Sequence, residues 1–217
     1  MLILFLSLAA SANSSLPKGL MLNLDLEEIQ DGLIPSKTLF PLYVPQGDLG
    51  IERFYNRNML AFQEGQWLDI PHSSLLDPDG SEWVVSVRAF VLTDGMVISQ
   101  GNDKHGYAIY IKDYTVQAVV RTDNVAITIK ESAKHIGITK YRKKWVTIEL
   151  QIKEDCAYLL LNRKRVARVS LNAPLKGENM PIRLGTHTAL PTVLKNKTNL
   201  TPAGFTGAIS SLKVTRQ

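Results

Sequence analysis

The fold is indicated most clearly by residues 145–153, which read Trp145-Val146-Thr147-Ile148-Glu149-Leu150-Gln151-Ile152-Lys153. From Val146 onward, aliphatic and polar side chains alternate without a break. Successive side chains of a β-strand point to opposite faces, so the aliphatic residues fall on one face and the polar residues on the other. This pattern predicts an antiparallel strand with one face against a core and the other in water.

Short stretches of the same kind recur along the chain, with turn-forming residues between them. The turns that join apolar runs include Asp77-Pro78-Asp79-Gly80, Thr93-Asp94-Gly95, Asp123-Asn124 and Asn162-Arg163. Many short strands without a long amphipathic stretch are typical of an all-β, antiparallel sandwich. The predicted strands span residues 20–26, 58–63, 66–70, 82–92, 96–100, 106–112, 115–121, 125–130, 145–153, 156–162, 165–171, 181–185 and 205–215.

The beginning of the chain predicts export. Residues 1–12 contain an apolar run and end in Ala10-Ser11-Ala12, the small-x-small pattern that signal peptidase cleaves. No later segment is long and apolar enough to span a bilayer as a helix, so no transmembrane segment is predicted. The single cysteine, Cys156, has no partner for an intrachain disulfide and is expected in the core. We therefore expect a secreted, periplasmic or cell-envelope protein.

The chain divides into three regions. Residues 1–12 are the predicted signal peptide, residues 13–54 an N-terminal strand followed by an irregular connection rich in glycine and proline, and residues 55–217 the sandwich domain. A chain of 217 residues is long enough for one sizeable hydrophobic core.

Charge is distributed unevenly along the chain, whose formal net charge is +5. Residues 19–82 hold eleven acidic and three basic residues, whereas residues 127–168 hold eleven basic and four acidic residues. The basic stretch indicates either a solvated surface or a patch that attracts a polyanionic glycan. Export and the lack of a nucleic-acid-binding motif argue against a nucleic acid partner.

Six short motifs, in order, carry a resemblance to a known superfamily. The chain resembles the laminin G-like, or concanavalin A-like lectin and glucanase, superfamily in the forms common in bacterial exported proteins, over about residues 55–217. The resemblance implies a jelly-roll β-sandwich. Its motifs are NMLAFQEGQWLDIP (58–71), WVVSVRAF (83–90), the hairpin VISQG (97–101) with GYAIYI (106–111), KWVTI (144–148), LLLNRKRVA (159–167) and GFTGAISSLKV (204–214).

The catalytic arrangements of this superfamily find little support in the sequence. Glycoside hydrolases need two carboxylates about 5 to 5.5 Å apart in retaining enzymes; Asp25 and Glu27 are the nearest candidates, but the Glu-x-Asp-x-x-Glu pattern is absent. Jelly-roll lyases use Tyr and His with Arg and Gln, and a Gln-x-His segment is missing. No catalytic residue is predicted. A loose likeness to the lyase strand lies in Tyr110, Lys112, Tyr114 and Gln117, and the four histidines are dispersed: His72, His105, His135 and His187.

A ligand-binding surface is predicted on the polar face of one sheet. If Val85 and Val87 face the core, Ser86 and Arg88 lie on the opposite surface. Aromatic rings cover the C–H face of a sugar, while amide and guanidinium groups bond its hydroxyls. Aromatic, amide and guanidinium side chains beside Arg88 would therefore form a sugar-binding site. The predicted ligand-binding residues are Arg88, Tyr110, Gln117 and Arg121.

No cofactor is predicted, and calcium is the alternative that the sequence leaves open. Residues 77–82 offer three carboxylates, of which Asp77 and Asp79 are the predicted metal ligands. An ordinary type I turn is the competing interpretation, because a proline lies between them.

Three functions follow from these observations. The first is a noncatalytic exported recognition module that binds carbohydrate, in particular an acidic or sulfated polysaccharide. The second is a polysaccharide lyase or glycoside hydrolase of the jelly-roll type. The third is a structural or protein-interaction domain of the cell envelope.

Overall fold

The computed structural model describes residues 19–29, 33–36, 38, 42–43, 49–54, 57–78, 82–113, 115–130, 143–185, 192–195 and 204–216. The predicted signal peptide, Asp79, Tyr114, His135 and His187 lie outside these residues. Within them, no helix is long and apolar enough to cross a membrane.

Sixteen strands and two short 3-10 turns are found in the described residues. The 3-10 turns are Ser74–Leu76 and Thr192–Leu194. The strands are β1 (Leu20–Asp25), β2 (Leu33–Ile34), β3 (Leu42–Tyr43), β4 (Gly50–Phe54), β5 (Arg57–Phe62), β6 (Trp67–Ile70), β7 (Trp83–Val91), β8 (Gly95–Gly101), β9 (Gly106–Lys112), β10 (Thr115–Thr122), β11 (Val125–Lys130), β12 (Lys144–Lys153), β13 (Cys156–Leu161), β14 (Lys164–Ser170), β15 (Ile182–Gly185) and β16 (Gly207–Arg216).

The strands form two antiparallel sheets and one small hairpin. The larger sheet has the order β14-β13-β12-β7-β16-β5-β4, and β1 also pairs with β16. The smaller sheet has the order β11-β10-β9-β8-β15-β6, while β2 and β3 pair with each other inside the connection that was predicted to be irregular. Both β1 and β4 belong to the larger sheet, so strands from before residue 55 complete the sandwich.

The hydrophobic core lies between the two sheets. Val146, Ile148, Leu150 and Ile152 of β12 are buried in it, which confirms the alternation predicted for this strand. The smaller sheet contributes residues such as Ile109 to the same core. A second, smaller cluster forms on the outer face of the smaller sheet, where Val193 and Leu194 of the second 3-10 turn are buried together with Met96, Ala108, Tyr110 and Val119.

Two-residue turns set the register of the hairpins. Asn162 and Arg163 have φ angles of 51° and 67°, and Asp123 and Asn124 have φ angles of 46° and 66°. Positive φ at both central residues is the geometry of a type I′ turn, whose twist matches that of the strands it joins. These turns confirm two of the predicted hairpins, and every predicted strand agrees with an observed strand to within two residues at each end.

Candidate functional site

A polar groove crosses the outer face of the larger sheet. It has a volume of about 420 Å³ and is formed chiefly by the three central strands β12, β7 and β16, together with the β13–β14 turn. We call it the polar groove. Its lining residues are Val84, Ser86, Arg88, Thr147, Glu149, Arg163, Ser211, Lys213 and Thr215.

The register of the three strands explains why these side chains meet. Thr147 pairs with Arg88, and Arg88 pairs with Ser211. One step along the sheet, Ser86 lies between Glu149 and Lys213. Because neighbouring strands are about 4.8 Å apart, the three strands give a surface about 10 Å wide on which all side chains of one parity point the same way.

The groove carries more positive than negative charge. Arg88, Arg163 and Lys213 line it together with one carboxylate, Glu149. In the described part of the chain, none of the three cations forms an ion pair. Glu149 accepts a hydrogen bond of 3.4 Å from the Gln151 amide. The three cationic groups are therefore available to an acidic ligand.

Aromatic residues stand at the margin of the groove. Trp145 packs on Phe90, with ring centroids 5.4 Å apart, and the Arg88 guanidinium carbon lies 5.3 Å from the Trp145 ring centroid. A guanidinium at this distance is attracted to the negative face of the ring. The contact positions the exposed Arg88 side chain at the groove.

The neighbouring strands extend the positive charge beyond the groove. Arg165 and Arg168 of β14 lie 5.6 and 5.7 Å from the ring of Tyr158. Arg168 also donates hydrogen bonds of 3.3 and 3.0 Å to the sulfur of Cys156, and this contact raises the pKa of the Arg168 guanidinium. Cys156 is buried, as predicted, although it lies on the outer face beside Arg168 and not in the main core.

Comparison with known proteins identifies the fold. No protein-family model matches the chain, and no curated protein matches it significantly. Among solved structures, the binding domain of Paraclostridial Mosquitocidal Protein 1 is similar with a TM-score of 0.69 and 12% identity, over 92% of this chain and 49% of that one. Domain 4 of an extracellular arabinanase from Geobacillus stearothermophilus, in complex with arabinotriose, is similar with a TM-score of 0.61 and 13% identity, over 91% and 92%.

Domains LG4-5 of the mouse laminin alpha1 chain are also similar, with a TM-score of 0.51 and 15% identity, over 84% of this chain and 48% of that one. The fold is a laminin G-like jelly roll. The predicted jelly-roll sandwich is therefore confirmed. This chain spans about half the length of the mosquitocidal and laminin structures, whereas it matches nearly the whole arabinanase domain.

The jelly roll separates the predicted ligand-binding residues into two groups. Arg88 lies on the outer face of the larger sheet beside Ser86, as predicted. Tyr110, Gln117 and Arg121 belong to β9 and β10 of the smaller sheet. The prediction that they share a surface with Arg88 is wrong, because alternation decides which face of a strand a residue occupies but not which of the two sheets contains the strand.

Tyr110 and Gln117 contact each other on the outer face of the smaller sheet. The Tyr110 hydroxyl donates a hydrogen bond of 3.0 Å to Gln117 Oε1. Tyr110 is 4% exposed because the 3-10 turn Thr192–Leu194 packs in the same cluster, and this burial raises the pKa of its phenol to about 12. The ring of Tyr110 is therefore covered and offers no open surface to a sugar.

Arg121 is a structural anchor of the jelly roll. It is 4% exposed, and its guanidinium donates hydrogen bonds to the carbonyl oxygens of Val193 (2.8 Å), Asn124 (2.9 Å), Asp103 (3.2 Å) and Lys195. These bonds tie the 192–195 segment to the loops that precede β9 and β11. With its donors committed to backbone carbonyls, Arg121 does not belong to the candidate site.

Asp77 is committed to protein partners. Its carboxylate contacts His72 Nε2 at 2.8 Å and accepts a hydrogen bond of 3.2 Å from Gln100 Nε2. The other predicted calcium ligand, Asp79, lies outside the described residues. Across the described ranges, no group of three or more His, Cys, Asp or Glu side chains is arranged to hold a metal ion.

The hydrolase candidates do not form a pair of facing carboxylates. Strand β1 ends at Asp25, and the Asp25 carboxylate accepts a hydrogen bond of 3.1 Å from the backbone N–H of Glu27. Glu27 therefore lies beyond the strand end. Among the described residues that line the polar groove, Glu149 is the one carboxylate, and both the retaining and the inverting mechanism use two.

Three charged groove residues were not predicted as part of the site. Lys213 lies on a strand that was correctly predicted, and Arg163 lies in a turn that was correctly predicted. The sequence held no sign that β16 pairs with β7, whose partner residues lie 116 to 133 positions earlier. Glu149 was assigned to the wet face of its strand, but its position opposite Ser86 follows only from the strand pairing.

Proposed function

We propose that the protein is a noncatalytic recognition module that binds carbohydrate in the polar groove and prefers chains bearing carboxylate or sulfate groups. The observation that carries this proposal is the presence of Arg88, Arg163 and Lys213 in one groove in which Glu149 is the only carboxylate among the described lining residues. Acidic groups of a ligand would be bound by charge-assisted hydrogen bonds, which are about twice as strong as neutral ones.

The remaining groove residues suit a polyhydroxylated chain. Ser86, Ser211, Thr147 and Thr215 bring four hydroxyls to the same surface, and each hydroxyl both donates and accepts hydrogen bonds. Sugar hydroxyls have the same dual character. Trp145, at the margin, adds apolar ring surface for the C–H face of a sugar.

The structural comparisons are consistent with this proposal. The structure of the arabinanase domain, which matches the chain along nearly its full length, is a complex with arabinotriose. A jelly roll of this size can therefore bind an oligosaccharide without a second domain. Because the two sequences are 13% identical, the ligand of the present protein is inferred from its own groove residues. The cations among them favour an acidic chain.

The proposal includes export, which would bring the module to extracellular or periplasmic glycans. It rests on the sequence of residues 1–12. Expression of the full chain in a secreting host, followed by N-terminal sequencing, tests it. A mature chain that begins at Asn13 is the expected result, and an uncleaved chain retained in the cytoplasm would contradict it.

A glycan array, run with and without a calcium chelator, tests the ligand class. We expect binding to uronic or sulfated chains, little binding to their neutral counterparts, and the same result with chelator. Binding that is equal for neutral and acidic chains would remove the acidic preference. Absence of any glycan binding, with a protein partner recovered instead, would favour the structural or protein-interaction function.

Calorimetric titration of the best array ligand locates the site. Lys213→Gln and Arg88→Gln should each weaken binding about tenfold or more, because a hydrogen bond to a charged group contributes about 1.5–3 kcal/mol and 1.4 kcal/mol is a factor of ten. Lys176→Gln is the matched control, since Lys176 is an exposed cation of the 171–181 segment. Equal losses in all three variants would mean that only net charge matters and that the groove is not the site.

Product analysis separates binding from catalysis. The noncatalytic proposal expects no unsaturated or new reducing ends after long incubation with the bound glycan. Release of either product would establish a lyase or hydrolase, and in that case Glu149→Gln would show whether the groove carboxylate takes part.

A further inference from the structure

Three buried polar side chains meet between the sheets at one end of the sandwich. Trp83 begins β7 of the larger sheet, while Gln100 and Tyr107 lie on β8 and β9 of the smaller sheet. Trp83 and Tyr107 are 0% exposed, and Gln100 is 5% exposed. We call these three residues the internal polar cluster.

The cluster is held together by contacts from both sheets. The rings of Trp83 and Tyr107 have centroids 4.7 Å apart, and Gln100 pairs with Tyr107 in the β8–β9 register. The Gln100 amide nitrogen donates to Asp77 Oδ1 and to the Met180 carbonyl, both at 3.2 Å. The amide orientation of Gln100 is fixed by these two acceptors, so its oxygen points away from them.

One polar atom of each member has no hydrogen-bond partner within the protein. These atoms are Trp83 Nε1, Gln100 Oε1 and the Tyr107 hydroxyl oxygen. An unsatisfied buried polar group is costly, and most buried polar groups in folded proteins bond to protein or to ordered water. Three such atoms in one cluster therefore point to a bound molecule that satisfies them together.

The chemistry of the three atoms selects the ligand. Trp83 Nε1–H only donates, Gln100 Oε1 only accepts, and the Tyr107 hydroxyl does both. A cation would meet the indole N–H of Trp83, which is not a ligand atom, and an anion would meet Gln100 Oε1, which only accepts hydrogen bonds. A neutral molecule with two donors and two acceptors matches the set, and water is the one small enough for a site enclosed by the core.

We propose that the internal polar cluster is a hydration site, in which ordered water accepts a hydrogen bond from Trp83 and donates one to Gln100 while bonding the Tyr107 hydroxyl. The water would bridge the two sheets at a point where their side chains do not bond each other directly. The site lies between the sheets, whereas the polar groove lies on the outer face of the larger sheet, so the two proposals stand or fall separately.

Water-edited NMR of protein labelled with ¹⁵N-tryptophan tests the site. The Trp83 indole N–H should exchange slowly with solvent and yet show a cross-peak to water of the sign given by a long-lived bound molecule. The indoles of Trp67 and Trp145 are internal references, assigned with Trp67→Phe and Trp145→Phe variants. Absence of a water cross-peak at a slowly exchanging Trp83 indole would overturn the proposal.

The sign of a stability change gives a second test. With water bound, Tyr107→Phe removes a satisfied hydroxyl and should lower Tm. Without it, the same change removes an unsatisfied buried hydroxyl and should raise Tm. Tyr158→Phe, at a partly exposed tyrosine, is the matched control and should leave Tm unchanged. A raised Tm for Tyr107→Phe would refute the hydration site independently of the NMR result.

Discussion

Replacement of Arg121 by methionine should destabilise the protein strongly while leaving glycan binding intact. The guanidinium of this buried residue donates to four backbone carbonyls, three of them at 2.8, 2.9 and 3.2 Å. Methionine fills similar space but leaves those carbonyls without donors. At a net contribution of about 0.5–1.5 kcal/mol for each of the four hydrogen bonds, the expected loss in the free energy of unfolding is about 2–6 kcal/mol.

Urea unfolding followed by tryptophan fluorescence measures this loss. With a denaturant slope of about 3 kcal/mol/M, the urea midpoint should fall by about 0.7–2 M. Arg121→Lys should recover only part of the loss, because an ammonium group lacks the planar fork that reaches several carbonyls at once. An unchanged midpoint combined with lost glycan binding would refute this reasoning and return Arg121 to the binding site.

Three further predictions follow from the described contacts. Burial raises the pKa of Tyr110 to about 12, so the neutral phenol adds up to about 3 kcal/mol to the free energy of unfolding. This stabilisation is complete below pH 10 and is lost as the pH rises through 12. Absorbance titrations of the wild type and of Tyr110→Phe should differ by one late-titrating phenol. Arg163 has a φ of 67°, which glycine adopts more easily than arginine, so Arg163→Gly should raise the free energy of unfolding by about 0.5–1 kcal/mol. The same change removes a groove cation and should weaken the binding of acidic glycans. Thermal unfolding measures the first effect and calorimetry the second. Asp77→Asn should lower Tm equally in calcium and in chelator, since its carboxylate partners are His72 and Gln100; a loss seen only in calcium would instead indicate a metal site.

Most of the fold follows from local patterns in the sequence. The alternation of residues 146–153 identifies both faces of β12, and Asn162-Arg163 and Asp123-Asn124 form the tight turns that their residue types favour. These features are local because the side-chain period of a strand and the backbone preference of a turn depend on a few consecutive residues. The same reasoning places Val85 and Val87 in the core and Arg88 on the polar side.

The composition of the site depends on contacts between distant parts of the chain. Arg88 is on a groove surface because β16, which ends the described chain, pairs with β7 near its middle. Tyr110 and Arg121 alternate correctly along their strands, but those strands lie in the other sheet. The segment 192–195 then covers them, which turns two predicted ligand contacts into buried structural residues.

The sequence by itself therefore determined the all-β architecture and, for the strands outside residues 31–54, the strand boundaries to within two residues. It missed β2, β3 and β4, whose short segments carry no clear alternation. Only the tertiary structure decided which polar faces share a surface, brought Lys213 and Arg163 to Arg88, and committed Asp77 and Arg121 to internal hydrogen bonds. The physical reason is that strand periodicity is a property of neighbouring residues, whereas sheet order and register are set by the burial of apolar faces across the whole chain.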